Sequence, residues 1–277
     1  MEIDRTSFEA ELRAAGEALS PVRAGLLLAR ECAYPDLRPS EHLAQLDDLA
    51  AQARGRVQAE TGGVNQGLAL ADWLFRELGF RGNQADYANP RNSYLNQVLE
   101  RRLGIPISLS VLFVDLAQRL GVPAQGVGLP GHFIVAVTGE DEPLLLDPFH
   151  GGRRLSVDDC AELARQAAGL EGPFDPDWLA PTPPRDIVAR MLNNLRGLYL
   201  SVEDWPQSIK VVERVQLLQP TVSAHLRDLG ILHYRNGSYR KGAALLNEYL
   251  AREPNAPDGE AVRAGRDRLL DEMAKLN

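Results

Sequence analysis

The sequence predicts an α+β fold in three regions: a helical N-terminal region, a core built on a short antiparallel sheet, and an α-helical repeat unit. Three observations carry this prediction. Apolar residues recur every three or four positions through residues 1–80 and again from Asp186 onward, as on a helix with one buried face. Between these regions, "AQGVGL", "HFIVAVT" and "PLLLDPF" are short runs rich in Val, Ile, Leu and Phe, separated by turn residues. They read as two or three antiparallel strands. After Asp186 the pattern repeats itself at a fixed offset.

The elements follow in order. Ser20-Pro21 is a helix-start signal, followed by Val22, Leu26 and Leu27 on one face, and the run stops near Tyr34-Pro35. Ser40 reads as the N-cap of the next helix, which leads Leu43, Leu46 and Leu49 inward. A further helix runs from Asn65 to Leu78, closed by Gly79. "RGNQADYANPRNS" is loop chemistry, and a short helix follows over about Tyr94–Arg101. Pro106 suits the first turn of a helix, because a backbone N–H is not needed there. That helix buries Leu109, Leu112, Phe113, Leu116 and Leu120, and ends at Gly121. His132 is expected on a strand, where it shares one side with Ile134 and Ala136 while Phe133, Val135 and Val137 share the other. The turn Glu140–Glu142 reads as solvated surface, and Ser156 to Asp159 as a capping box.

Five prolines, Pro173, Pro176, Pro181, Pro183 and Pro184, interrupt regular structure and mark a boundary. The expected organisation is a first domain over 1–168, a Pro-rich linker over 169–184 and a repeat unit over 185–277. An offset of 34 residues aligns Leu192 with Leu226, Leu195 with Leu229, Tyr199 with His233, Trp205 with Tyr239, Val212 with Leu246 and Pro220 with Pro254. That period and pattern are the tetratricopeptide signature. It predicts helices over 190–202, 205–218, 224–236 and 239–252, with a capping helix over Gly259–Leu276. Tyr199, Trp205 and Tyr239 read as packing residues.

Composition narrows the function. The formal charge is −8, from 38 acidic and 30 basic residues, with no dense basic run. This argues against nucleic acid as a partner. No apolar run reaches the about 18 residues of a membrane helix. The N-terminus lacks the basic start and apolar block of a signal peptide. Two distant cysteines, Cys32 and Cys160, fit a reducing cytoplasm.

The run "NPRNSYLNQVLERRLGIPISLSVLFVDLAQRLGVPAQGVGLPGHFIVAV", followed by "LLLDPFHGGRRLS", resembles the transglutaminase-like domain of bacterial SirB-type proteins, which carry tetratricopeptide repeats behind it. The resemblance covers about residues 20–255. It implies a papain- or transglutaminase-like core in which active relatives place a cysteine at the start of a helix, then a His and an Asp on adjacent strands. His132 and Asp147 match the last two. Counting back from Gly121 places Pro106, in Gly104-Ile105-Pro106, where the cysteine is expected, so the core is degenerate.

A thiol at a helix N-terminus gains thiolate character from the helix dipole and a nearby imidazole. Proline offers no nucleophile. Ser108 is the nearest hydroxyl, and a serine needs an accurately placed base and an oxyanion hole. Two readings therefore stand. In one, the chain is a non-catalytic transglutaminase-like protein that binds a protein or peptide partner, with the repeats as its surface. In the other, it is a serine-dependent hydrolase or acyl transferase using Ser108, His132 and Asp147. Arg91, Asn92, Asn96 and Arg102 flank the expected cleft and are candidate ligand-binding residues, against the plainer reading that they satisfy local acids and carbonyls. His132, Asp147 and His150 are metal-ligand types, but no tight spacing supports a site, so neither metal nor cofactor is assigned. His150 reads as an exposed turn residue beside Gly151-Gly152.

Overall fold

The computed structural model describes residues 2–139, 142–169 and 171–275. Glu140 and Asp141 of the acidic turn and Leu276 of the expected last helix lie outside these residues. Contacts divide the chain into two compact units, Met1–Met191 and Leu192–Asn277.

The first unit opens with helices α1 (Phe8–Ala15), α2 (Pro21–Cys32), α3 (Pro39–Gln58) and α4 (Gly63–Ala71). Ser20 caps α2 by accepting from Arg23 N, as its sequence position predicts. Ser40 does not cap α3. Pro39 takes the first helical position and Arg38 stands before it. Ser40 instead donates its N–H and hydroxyl to the Asp4 carboxylate, at 2.9 and 2.6 Å. These bonds hold the Asp4 carboxyl well below the usual carboxylate range. Beyond α4 the helix widens into a π-type turn over Asp72–Glu77.

The middle of the unit carries β1 (Arg81–Gly82), α5 (Leu95–Arg101), β2 (Leu103–Gly104) and α6 (Pro106–Leu120). The strands β1 and β2 form a two-residue parallel pair. Arg102 closes α5 in the left-handed conformation, with φ 57°. Pro106 is the first residue of α6, and Gly121 ends it with φ 77°. Four strands follow as an antiparallel meander in chain order: β3 (Ala124–Val127), β4 (Ile134–Val137), β5 (Leu144–Asp147) and β6 (Arg153–Leu155). Then comes α7 (Val157–Ala168), opened by the predicted box: Asp159 N donates to Ser156 Oγ, and Ser156 N donates to Asp159.

The sheet divides two apolar clusters, and the alternation along β4 shows how. Phe133, Val135 and Val137 join the main core with α2, α3, α4 and α6. Ile134 lies in a second cluster with Val127, Leu129, Leu145, Leu155 and Cys160 of α7. Phe174, Trp178 and Leu179 of the Pro-rich stretch pack on that second cluster. Thr182 N donates to Gly126 O at 2.8 Å, so this stretch extends the β3 edge rather than running free.

The helix α8 (Pro184–Ser201) crosses the division between the units. Its Ile187 and Met191 belong to the main core of the first unit. The second unit continues with α9 (Trp205–Leu218), α10 (Ala224–Arg235), α11 (Tyr239–Arg252) and α12 (Gly259–Lys275). Three of the pairs aligned at the 34-residue offset form apolar layers buried in both repeats: Leu192 and Leu226, Leu195 and Leu229, Val212 and Leu246.

Candidate functional site

His132 sits in the turn before β4 and not on the strand, which begins at Ile134. The expected strand position is corrected by Pro130 and Gly131, which make the turn. Gly131 has φ 70°, and a Cβ there would lie 2.7 Å from the backbone of Ala167 in α7. Only glycine fits both conditions. Arg190 of α8 reaches across and donates from Nη2 to the carbonyls of Leu129 and His132, both at 2.8 Å. Its guanidinium also lies 5.1 Å over the Phe133 ring. The backbone of the His132 turn is therefore held from both ends.

Asp147 is the last residue of β5 and is wholly buried. Its Oδ1 accepts from the backbone N–H groups of Phe149 and His150, at 3.0 and 3.3 Å. Its Oδ2 meets His132 Nε2 at 3.1 Å and His150 Nδ1 at 2.6 Å. Burial pushes the Asp147 carboxyl up. The bonds and charges of His132, then of His150, outweigh that and hold it below the usual carboxylate range. The imidazole rings of His132 and His150 lie 6.0 Å apart at 23°, with Phe149 edge-on to both.

Ser108 is buried near the start of α6, in a different set of bonds. Its Oγ accepts from Ile105 N at 3.0 Å and donates to Asn92 O at 2.7 Å, with Ile105 O at 3.1 Å. Among the described residues its partners are all backbone groups. The Oγ packs so close to Gly104 that a Cβ there would lie 2.7 Å away. The structure thus brings His132 and Asp147 together, adds His150, and uses Ser108 as a helix cap.

The other sequence-derived candidates are engaged locally. Asn92 is wholly buried: its Oδ1 accepts from Asn83 Nδ2 and Arg101 Nη1, and its Nδ2 donates to the carbonyls of Asp86 and Tyr87. It staples the preceding loop. Arg91 Nε donates to Gln97 Oε1 at 2.7 Å. Arg102 Nη1 donates to Leu78 O at 2.6 Å. Asn96 is buried in α5, and its Oδ1 has no hydrogen-bond partner among the described residues.

Both cysteines are buried. Burial, with Asp159 and Asp147 adding to it, pushes the Cys160 thiol up to about 11. It stays protonated near neutral pH and is no thiolate nucleophile.

Two contacts of the site are not evident from the sequence. The His150 contact has a local signal only, the Asp-x-x-His spacing after a strand, which allows the ring to turn back onto the carboxylate but does not fix its direction. Arg190 lies 58 residues beyond His132, and nothing local connects them.

Comparison with known proteins agrees with this architecture. The profile of the transglutaminase-like superfamily matches residues 40–193, and that of the tetratricopeptide repeat matches residues 195–266. The chain is 38% identical over 251 residues to a UPF0162 protein of Xylella fastidiosa, covering 89% of each. It is 32% identical over 190 residues to a UPF0162 protein of Pseudomonas aeruginosa, covering 69% of each. It is also 36% identical over 135 residues to human F-box only protein 21, covering 45% of this chain and 20% of that one. No described helix is long and apolar enough to cross a membrane.

Proposed function

The chain belongs to the transglutaminase-like superfamily, and from that premise we propose that it is a non-catalytic protein- or peptide-binding module of the SirB type, with the tetratricopeptide unit as its interaction surface. The observation that carries this reading is the use of the Ser108 hydroxyl. Its proton is given to a backbone carbonyl at 2.7 Å, and Pro106, which the resemblance puts at the place of the family's thiol, is the first residue of α6. A nucleophile must hand its proton to a base such as His132. Ser108 would first have to abandon the cap of its own helix.

Tetratricopeptide repeats offer extended surfaces for peptides, and apolar side chains left in water are the natural anchors. On α10, Ile231 and Tyr234 are both exposed and stand three residues apart, on one face of the helix. The test is quantitative cross-linking and affinity capture from cells that make the protein. Specific partners should be lost in Ile231→Asp/Tyr234→Ala and retained in His132→Ala. Retention by the α10 variant and loss in His132→Ala would place binding at the transglutaminase-like core instead.

The second reading, a serine-dependent hydrolase or acyl transferase, draws support from the 3.1 Å approach of His132 to Asp147, the geometry that orients a catalytic imidazole. A fluorophosphonate probe separates the two. Labelling that disappears in Ser108→Ala would establish the enzyme. The binding-module reading expects no label.

A further inference from the structure

We infer that His132, Asp147 and His150 form a binding site for one divalent transition-metal ion, with Zn²⁺ the best fit. Three donor atoms converge: His132 Nε2, Asp147 Oδ2 and His150 Nδ1 all lie within 4.8 Å of one another. Both imidazole nitrogens point at the same carboxylate oxygen, at 3.1 and 2.6 Å. An ion seated among them must meet two nitrogen lone pairs and one oxygen lone pair. Donors in a tetrahedral zinc site with bonds of about 2.0–2.1 Å are about 3.3 Å apart. His132 and Asp147 already stand near that spacing. His150 must withdraw from Oδ2 by less than an ångström and also swing toward His132 Nε2, the widest pair in a cluster 4.8 Å across. Of its side chain 38% is exposed, on a turn ended by Gly151 and Gly152, which leaves it room to move.

The support behind the donors is that of a metal centre. Ligand carboxylates are usually held by hydrogen bonds on the oxygen that faces away from the ion. Asp147 Oδ1 takes two backbone N–H groups, which fixes the carboxylate plane and leaves Oδ2 for the ion. The His132 turn is fixed by Arg190 through the backbone, so that clamp makes no use of the ring, whose Nε2 faces Asp147 Oδ2. Two nitrogens and one carboxylate suit zinc and its first-row neighbours, whereas calcium and magnesium prefer oxygen alone. Three protein ligands leave a position for an outside donor. His150 and Gly151 line two open clefts of about 770 and 660 Å³, whereas His132 and Asp147 are buried, so an outside donor would approach from the His150 side. None of this uses Ser108 or the repeats, so the inference is independent of the proposed binding function.

The test uses the full chain, stripped of metal by chelation. Zn²⁺ is titrated against a chromophoric chelator, and Co²⁺ is followed by its visible ligand-field bands. The expected result is one saturable site, tetrahedral cobalt bands, and at least tenfold weaker binding in His150→Ala. His150 is exposed, so this variant should keep the fold; Asp147→Asn gives a second reading. His42→Ala, which removes a half-buried histidine elsewhere, should bind as the wild type does. Wild-type affinity in His150→Ala, or no saturable binding by the wild type, would overturn the inference. The three residues would then be a hydrogen-bonded relay and nothing more.

Discussion

The Ser108 hydroxyl gives its one proton to the Asn92 carbonyl, with the Ile105 carbonyl also near, and accepts from the Ile105 amide. Replacing Ser108 by alanine leaves the Asn92 carbonyl and the Ile105 amide with their own long 3.3 Å bond in place of the shorter ones to the hydroxyl. Loss of such a cap costs about 1–2 kcal/mol. Urea unfolding of Ser108→Ala should therefore show that loss, with the slope unchanged. A change below about 0.5 kcal/mol, the level of a neutral surface substitution, would show that the hydroxyl is not the cap. This serine is legible as either a cap or a nucleophile, because helix starts and catalytic hydroxyls use the same residue type. The choice lies in Asn92, 16 residues upstream, whose carbonyl no sequence pattern could aim. His132 and Asp147 are legible through the blocks that resemble the family, although the sequence expects His132 on a strand and the structure puts it in the turn before one. His150 reads as exposed turn, and the ring is indeed exposed. What the sequence does not show is its direction.

Elements with a strong period are legible nearly to the residue, as α9 and α11 show, because two copies of one pattern locate each other. The π-type turn after α4 and the two-residue pairing of β1 with β2 are not, since they depend on contacts distant in sequence. The same distance effect loads α10 with a cost. His233 is 5% exposed, and neither ring nitrogen has a hydrogen-bond partner among the described residues. Burial, then Lys241, lowers its pKa, and Glu213 opposes them weakly. His225 is lowered too, by burial and then Arg196, although its Nε2 meets Gln219 at 3.0 Å. A histidine whose folded pKa lies below its unfolded value binds more protons when unfolded. The fold keeps its full stability above about pH 6.5, the ordinary histidine value, and loses it as pH falls toward the folded pKa. His233→Leu removes two unpaired nitrogens and keeps the apolar volume. Thermal melting between about pH 7.5 and about pH 5.5 should show a smaller fall in Tm for the variant. An identical fall in both proteins would mean that this ring finds water or a partner.

At the scale of the whole chain, the Pro-rich stretch predicts a boundary between domains, whereas the contacts divide the chain inside α8, between Met191 and Leu192. Prolines mark where regular structure stops, but apolar side chains decide where a unit ends. The first two turns of α8 belong to the transglutaminase-like unit. Ile187 and Met191 are in its core, and Arg190 holds the His132 turn. Each buried aliphatic side chain removed from such a core costs about 2–5 kcal/mol. Two of them approach the whole margin of about 5–15 kcal/mol that holds an ordinary domain. A chain ending at Pro184 should therefore lose fixed tertiary packing, while one ending at Ser201 should keep it. The readouts are near-ultraviolet circular dichroism, dye binding to exposed apolar surface and the cooperativity of melting. Arg190→Met in the full chain isolates the clamp from the core. It keeps the aliphatic stem and removes the donors to Leu129 and His132, so the histidine turn should loosen while the unit stays folded. The nitrogen resonances of the His132 ring would report that loosening directly. If the chain ending at Pro184 melts as cooperatively as the longer one, then α8 belongs to the repeats alone, and the His132 turn needs no support from beyond the Pro-rich stretch.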